Sequence, residues 1–372
     1  MTREQALGAR PLRGAVVGYG FISGNGHVPA YLERARTRGD VEIVAVADVC
    51  EARRARASDA IPGVRLYGDF ESLLRAEREG LDFVDIATPP CDHASIALAA
   101  LDAGLHVLCE KPLTTTVEAA RELMRRAEKA RRVLFPCHNY KHAPVVEAIR
   151  EVIASGRIGA VRGVTLSTYR TTHARGVSEW RPDWRRERRL AGGGIAMDHG
   201  SHSFYLTFEW LAALPTAVSA RTWNTGGASD TEDGLGAVLT FPTGVAQVHL
   251  TWTAGVRKVI YALQGDRGAI TVTDDDMEIA TLTPDGKAGP VERVSIASHW
   301  MDASHVRWFD SLFTTFRAAI DADDFVGAET CDAYHCVQTI QACYRSAAEG
   351  GREISLRPEA CASVRGARQL AL

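Results

Sequence analysis

Apolar residues follow two rhythms along this chain, and the change between them comes near residue 135. Before it, short apolar runs alternate with longer stretches whose apolar positions recur every three or four residues. The runs are LRGAVVG (12–18), VEIVAVA (41–47), Val64 to Tyr67, Phe83 to Ala87, His106 to Cys109 and Arg132 to Pro136. They predict buried strands, separated by helices such as Asp69 to Glu79, Asp92 to Ala103 and Val117 to Ala130. Such alternation predicts an α/β domain with a doubly wound parallel sheet, all strand carboxyl ends lying on one rim. From Val161 the pattern becomes apolar–polar alternation, in VRGVTLSTYR, AVSARTWNT, LGAVLTFPTG, VAQVHLTWT, VIYALQGDRGAITVTD and VERVSIA. Gly, Pro or Asp turns separate these strands and leave no room for crossover helices, so the second sheet is expected to be open and mostly antiparallel. Helices near 195–213, 302–321 and 327–349 are expected to cover one of its faces, leaving the other for a homodimer or homotetramer contact. The expected division is residues 1–135 and an α+β domain of residues 136–372, whose last helices are free to pack back on the first.

Composition narrows the partners. With 372 residues, 46% hydrophobic, the chain can build two cores, and a net charge of -3 argues against nucleic acid. No apolar run reaches the about 18 residues of a membrane span, and MTREQALGARPLRG lacks the apolar centre of a signal peptide. A cytoplasmic protein is expected. Its eight cysteines show no repeated spacing and read as reduced, buried thiols. Cys331, His335, Cys336 and Cys343 share a helical stretch without a paired CxxC, so no metal is expected there.

Candidate chemistry gathers on the common rim. Gly18-Tyr19-Gly20-Phe21-Ile22-Ser23 follows the first strand. Its first two glycines permit a tight turn and let the backbone approach a pyrophosphate over the N-terminus of the next helix. Ser23 stands where a third small residue is usual. Asp48 closes the second strand; an acid there accepts from ribose hydroxyls and repels a 2′-phosphate, which favours NAD over NADP. Arg53 and Arg54 stand close enough to pair with such a phosphate, but CEARRARASDA reads more simply as an exposed helix.

Further on, Thr88-Pro89-Pro90 stops a strand, His93 follows, Ala103-Gly104 ends the helix, and Glu110-Lys111-Pro112 follows the next strand. This segment resembles the glucose-fructose oxidoreductase and inositol dehydrogenase family (Gfo/Idh/MocA). His27, Pro29 and the junction Asn139-Tyr140-Lys141 resemble it too. In the second domain, Gly192-Gly193-Gly194 precedes Asp198, His199, Gly200 and His202. A helix after the glycines is expected to place Asp198 and His202 four residues apart on one face, where the carboxylate would hold an imidazole nitrogen and raise its basicity. A zinc site from Asp198, His199 and His202 is disfavoured by their spacing.

The glycine triplet and Asp-x-Gly-x-His resemble the family's second signature. The resemblance implies catalysis by Lys111, Asp198 and His202. It implies cofactor contacts from Gly18, Gly20, Phe21, Ile22, Asp48, Thr88, Pro89, His93, Glu110, Lys111 and Asn139, the last of which alternatively caps the helix starting near Pro144. Substrate contacts would come from Lys111, Tyr140, Arg170, His173, Trp184, His199 and His202. The implied activity is NAD(P)-dependent oxidation of a secondary hydroxyl of a sugar, cyclitol or polyol. An NAD-retaining glycoside hydrolase and a non-catalytic dinucleotide- and sugar-binding regulator are the alternatives. Departures from the family pattern are Ser23, His142, and Tyr205 where an aspartate often follows the histidine.

Overall fold

The computed structural model describes residues 10–226, 229–297 and 304–357. Strands β1 (Leu12–Val17), β2 (Val41–Ala47), β3 (Arg65–Tyr67), β4 (Phe83–Ile86), β5 (His106–Cys109) and β6 (Leu134–Pro136) form a parallel sheet in the order β3-β2-β1-β4-β5-β6. This is the Rossmann arrangement, in which strand order reverses between β1 and β4 and a crevice opens at their carboxyl ends. Both faces are covered, which is why the strands read as unbroken apolar runs. Helices α1 (Val28–Thr37), α2 (Glu51–Ala60), α3 (Phe70–Glu77), α4 (Pro90–Asp102) and α5 (Val117–Ala130) connect them. Asp69 and Thr116 start α3 and α5 by accepting the Ser72 and Ala119 amide N–H groups, as capping residues should.

Helix α6 (Pro144–Ala154) leads into β7 (Val161–Tyr169), and a long connection carries α7 (Arg188–Ala191), α8 (Ile195–Asp198) and α9 (Gly200–Trp210). Then come β8 (Ala217–Trp223), β9 (Gly234–Phe241), β10 (Gly244–Thr251), β11 (Lys258–Gly265), β12 (Gly268–Thr273), β13 (Asp276–Leu282) and β14 (Ala288–Ser295). Helices α10 (Val306–Asp321) and α11 (Ala328–Ala348) precede the short β15 (Ile354–Ser355). The nine strands run β14-β13-β12-β11-β7-β10-β9-β8-β15, antiparallel except for β7 beside β10. On the open face Val238 and Val245 remain 45% and 41% exposed.

The helices that cover this sheet differ from the expected set. α6 packs on it through Val146, Ile149 and Val152, together with Phe204 and Phe208 of α9 and Ile340 of α11. α10 instead turns most of its apolar face to the first sheet. Its Leu312, Phe313 and Phe316 join Tyr31, Phe83 and Phe135 in one core, and its Thr314 accepts from the Arg34 guanidinium at 2.7 Å. An amphipathic pattern requires burial of one face without naming the surface that buries it.

The cysteines also correct an expectation. Cys331 is disulfide-bonded, whereas Cys50, Cys91, Cys109, Cys137, Cys336 and Cys343 are free thiols; Cys361 lies outside the described residues.

Candidate active site

A cleft of about 740 Å³ follows the carboxyl rim of the first sheet and continues beneath the second. Gly18 leaves β1 with φ +90°, and a Cβ there would lie 2.8 Å from the Thr88 backbone nitrogen, so only glycine lets the turns after β1 and β4 meet. Gly20 has open space where its Cβ would be. Ser23, the departure from a third glycine, donates its hydroxyl back to the Gly18 carbonyl at 2.5 Å and holds the turn closed. Asp48 accepts the amide N–H of Tyr19 at 2.6 Å and that of Cys50 at 2.7 Å, which fixes its carboxylate at the cleft edge with acceptor capacity to spare. Across the switch point, the buried Thr88 hydroxyl has no hydrogen-bond partner among the described residues. An unfilled donor, an open glycine face and an edge carboxylate fit a dinucleotide laid over the β1 turn.

Arg53 is not the exposed helix residue expected. It is buried beneath the glycine turn, donating from Nε to Tyr19 O at 2.7 Å, and its Nη1 lies 3.3 Å from Glu179 Oε1 of the second domain's cleft segment.

The expected catalytic residues do converge on the cleft, but with different partners. Lys111, joined to Pro112 by a cis peptide bond, donates from Nζ to Asp198 O at 2.9 Å and to Asp198 Oδ1 at 3.1 Å. Arg185 approaches the same oxygen at 3.3 Å. Burial alone would raise the Asp198 pKa, but Lys111, Arg185 and His199 hold it well below the carboxylate range, so Asp198 is ionised. No hydrogen bond joins it to His202. The helix breaks at His199, between α8 and α9, and the four-residue spacing no longer places the two on one face. His202 Nδ1 is instead 2.7 Å from the Tyr205 hydroxyl, which also accepts the Tyr140 amide at 3.2 Å, while the Tyr140 ring stacks on the imidazole at 3.9 Å. Burial, with Lys111 and His199 nearby, pushes the His202 pKa well below that of free imidazole.

Two carboxylates and a histidine lie under the lysine. His27 is wholly buried, with Nδ1 2.7 Å from Asp85 and Nε2 3.1 Å from Glu110. Burial would lower its pKa, but Asp85 and Glu110 push it up to about 10, so the ring is a cation locked between two acids. Glu110 Oε2 accepts the Lys111 amide N–H at 3.0 Å, which fixes the backbone from which Lys111 projects. His93 is displaced from its expected cofactor role. It is fully buried, bridging Thr88 O and Pro112 O at 2.9 Å each, and so braces the two loops from behind.

The junction faces the cleft with Asn139 and Tyr140 and turns its basic residues inward. Lys141 Nζ lies 2.8 and 2.9 Å from the Glu329 oxygens and 3.0 Å from Asp332 Oδ2, and His138 Nδ1 lies 2.8 Å from Glu329. Asn139 does not cap α6, whose N-cap is Ala143 without a side-chain bond. Arg170, His173, Trp184 and His199 line the same cleft.

Glu232 escaped the sequence reading. Buried before β9, it accepts the Gly194 and Ala196 amide N–H groups at 2.9 and 3.0 Å and the Tyr344 hydroxyl at 2.9 Å. It thereby anchors the glycine-rich turn that delivers Asp198. An acidic pair, Glu232-Asp233, abutting an apolar strand was the available signal. Glu232→Gln keeps the shape but turns one acceptor into a donor facing an N–H; kcat is expected to fall about tenfold with dinucleotide affinity little changed, as steady-state kinetics and a binding titration would show.

Comparison with known proteins bears on this arrangement. Residues 12–138 match a family model described as an oxidoreductase family, NAD-binding Rossmann fold, and residues 146–271 match the GFO/IDH/MocA C-terminal domain. The chain belongs to the Gfo/Idh/MocA oxidoreductase family. Curated relatives include D-glucoside 3-dehydrogenase of Escherichia coli (strain K12), 31% identical over 54% of each chain. Another is 1,5-anhydro-D-fructose reductase of Ensifer adhaerens, 35% identical over 51% of this chain and 56% of the relative. The chain thus spans little more than half the length of these relatives. Among solved structures, levoglucosan dehydrogenase in complex with NADH and levoglucosan superposes with a TM-score of 0.80 over 94% of this chain and all of the other, at 21% identity. At that identity the likeness is one of fold. No helix among the described residues is long and apolar enough to cross a membrane.

Proposed function

We infer that the protein is an NAD-dependent dehydrogenase of a secondary alcohol on a sugar, cyclitol or polyol. The observation that supports this most directly is the Lys111 ammonium, held on Asp198, beside a neutral buried His202 at the end of a cleft that starts at the glycine turn. A bound dinucleotide supplies the hydride acceptor. Gly18, Gly20 and Thr88 would receive its phosphates and Asp48 its ribose, while Arg53, engaged by Tyr19 and Glu179, is withheld from a 2′-phosphate. Asn139 would lie toward the nicotinamide end.

Two of the three Lys111 donors are used on Asp198, and the third serves the substrate oxygen, stabilising negative charge as the O–H proton leaves. His202 accepts that proton on Nε2, its Nδ1 being occupied by Tyr205. A tyrosine hydroxyl can donate to a bare nitrogen or accept from N–H, whereas a carboxylate only accepts and raises basicity. His202 therefore works as a weakly basic, uncharged acceptor in a buried site. The uncovered face of the nine-stranded sheet would pair copies of this cytoplasmic chain as a homodimer or homotetramer.

NADH formation from a panel of sugars, inositols and uronic acids, lost in His202→Ala, tests the reading; glycoside cleavage without NADH would replace it with the hydrolase. The pH profile gives a finer test. His202 is depressed below its free value of 6.5, so kcat/KM for oxidation should hold as pH falls through 6.5 and drop only in more acidic buffer. Tyr205→Asp places a carboxylate at Nδ1 and should move that acid limb upward by about one pH unit or more. Superimposable profiles would exclude His202 as the base.

A further inference from the structure

One short segment ties the glycine turn to the catalytic lysine. Ser23–His27 forms a single π-helical turn, the Val28 N–H donating back to Ser23 O, a local geometry often found at functional sites. Ser23 at its start holds the Gly18 carbonyl. His27 at its end reaches beneath the end of β5, where Nε2 lies 3.1 Å from Glu110 Oε1 and Nδ1 2.7 Å from Asp85 Oδ2. The Tyr31 hydroxyl donates to the same Asp85 oxygen at 2.7 Å, and Phe309 of α10 lies against the imidazole, 4.1 Å between ring centroids. His27, Asp85 and Glu110 are all buried.

Stability alone is a poor reason for this cluster. A buried ion pair replaced by well-packed apolar residues is often no less stable, and Asp85 sits in a strand whose other residues, Phe83, Val84 and Ile86, are apolar. Its position supplies a better one. Glu110 spans the cluster and the lysine: Oε1 is engaged by His27, while Oε2 accepts the Lys111 amide N–H at 3.0 Å. These two contacts occupy both oxygens and keep the carboxylate turned down from the ammonium, which is left to Asp198. A Glu110 released by His27 would carry its charge one residue from Lys111, and rotation toward Nζ would compete with Asp198 and with the substrate oxygen.

We propose that His27 is a positioning residue for catalysis: by holding Glu110 through Nε2 it fixes the backbone of Lys111 and keeps the third Nζ donor for the substrate, while its Nδ1 contact with Asp85 seats the ring. The inference rests on the dehydrogenase reading for the role of Lys111 and adds what keeps that lysine aimed.

Two amide variants separate the arms of the imidazole. In His27→Gln the amide nitrogen falls near the place of Nε2 and keeps a donor toward Glu110; in His27→Asn it falls near Nδ1 and keeps only the donor toward Asp85. Each is compared with wild type by kinetics on whichever sugar or inositol gives NADH, by NADH titration and by denaturant midpoint. The rate at which acetic anhydride labels Lys111, read by mass spectrometry, is compared as well. The expected kcat is lower by about tenfold or more in His27→Asn, with KM and NADH affinity within about twofold, and by only about threefold in His27→Gln, although its midpoint is the lower of the two. The labelling rate should shift by about threefold in His27→Asn alone. In a Glu110→Gln background, where the released carboxylate is gone, adding His27→Asn should lower kcat no further. Equal losses of kcat in the two single variants, losses that follow the midpoints, or a second tenfold loss in the Glu110→Gln background overturn the proposal and leave the dehydrogenase standing. If no compound yields NADH, a labelling rate shifted in His27→Asn alone supports the coupling of His27 to Lys111 and overturns the dehydrogenase reading instead, whereas equal rates in all three proteins overturn the coupling.

Discussion

Replacing Lys111 with methionine is expected to lower kcat/KM for alcohol oxidation by about 10²–10³, a loss of the size found when one donor to a developing oxyanion is removed. Methionine preserves the length of the side chain, so the cleft should keep its shape. The loss should fall mainly on kcat, because the charge that Lys111 stabilises is greatest in the transition state. Asp198 would still be opposed by Arg185 and His199, so the fold should survive, and NADH titration would show this. Near-normal turnover in Lys111→Met would remove the lysine from the mechanism and with it the proposed role of Asp198 as its holder.

The second large effect is one of stability. Lys141→Met removes the cation that Glu329 and Asp332 surround, depriving a half-buried and a buried carboxylate of the ammonium they share. Breaking a buried ion pair in this way should destabilise the protein by about 3–5 kcal/mol, measured as a lower denaturant midpoint at neutral pH. The pH dependence follows from the direction of the shifts. Burial would raise the Glu329 pKa, but Lys141 and His138 hold it far below its free value of 4.5. Its contribution is therefore present above pH 4.5 and lost as acid drives the folded-state carboxylate to protonate. In the variant the same carboxylate is expected to titrate above its free value, so protonation relieves it and the deficit should shrink as pH falls. A deficit independent of pH would mean that packing rather than charge sets the cost.

Much of this was legible in the chain because the signals were local. Apolar runs separated by helical periods are sufficient for a parallel sheet, and Gly18, Asp48, Thr88 and Lys111 end strands whose carboxyl ends share a rim. What misled was each inference that required a partner. Asp198 and His202 pair only if the helix is continuous, and the break at His199 hands the carboxylate to Lys111 and the imidazole to Tyr205. Arg53 looked exposed because α2 alone is strongly polar, yet the backbone carbonyls of the glycine turn draw it under. His93 was read through its neighbours in sequence, whereas its two ring nitrogens are committed to loop carbonyls. Glu232 lay nearly forty residues from the turn it anchors, beyond the reach of any local pattern.

The position of α10 has a consequence for how the chain is made. The first sheet is encoded by residues 12–136, yet the aromatic core around Tyr31 and Phe83 is completed by Leu312, Phe313 and Phe316. During vectorial synthesis the amino-terminal half therefore emerges from the ribosome with one face open, and stays so while the whole second sheet is translated. Over that interval the apolar face around Tyr31 and Phe83 stays exposed, until α10 has been translated and can cover it.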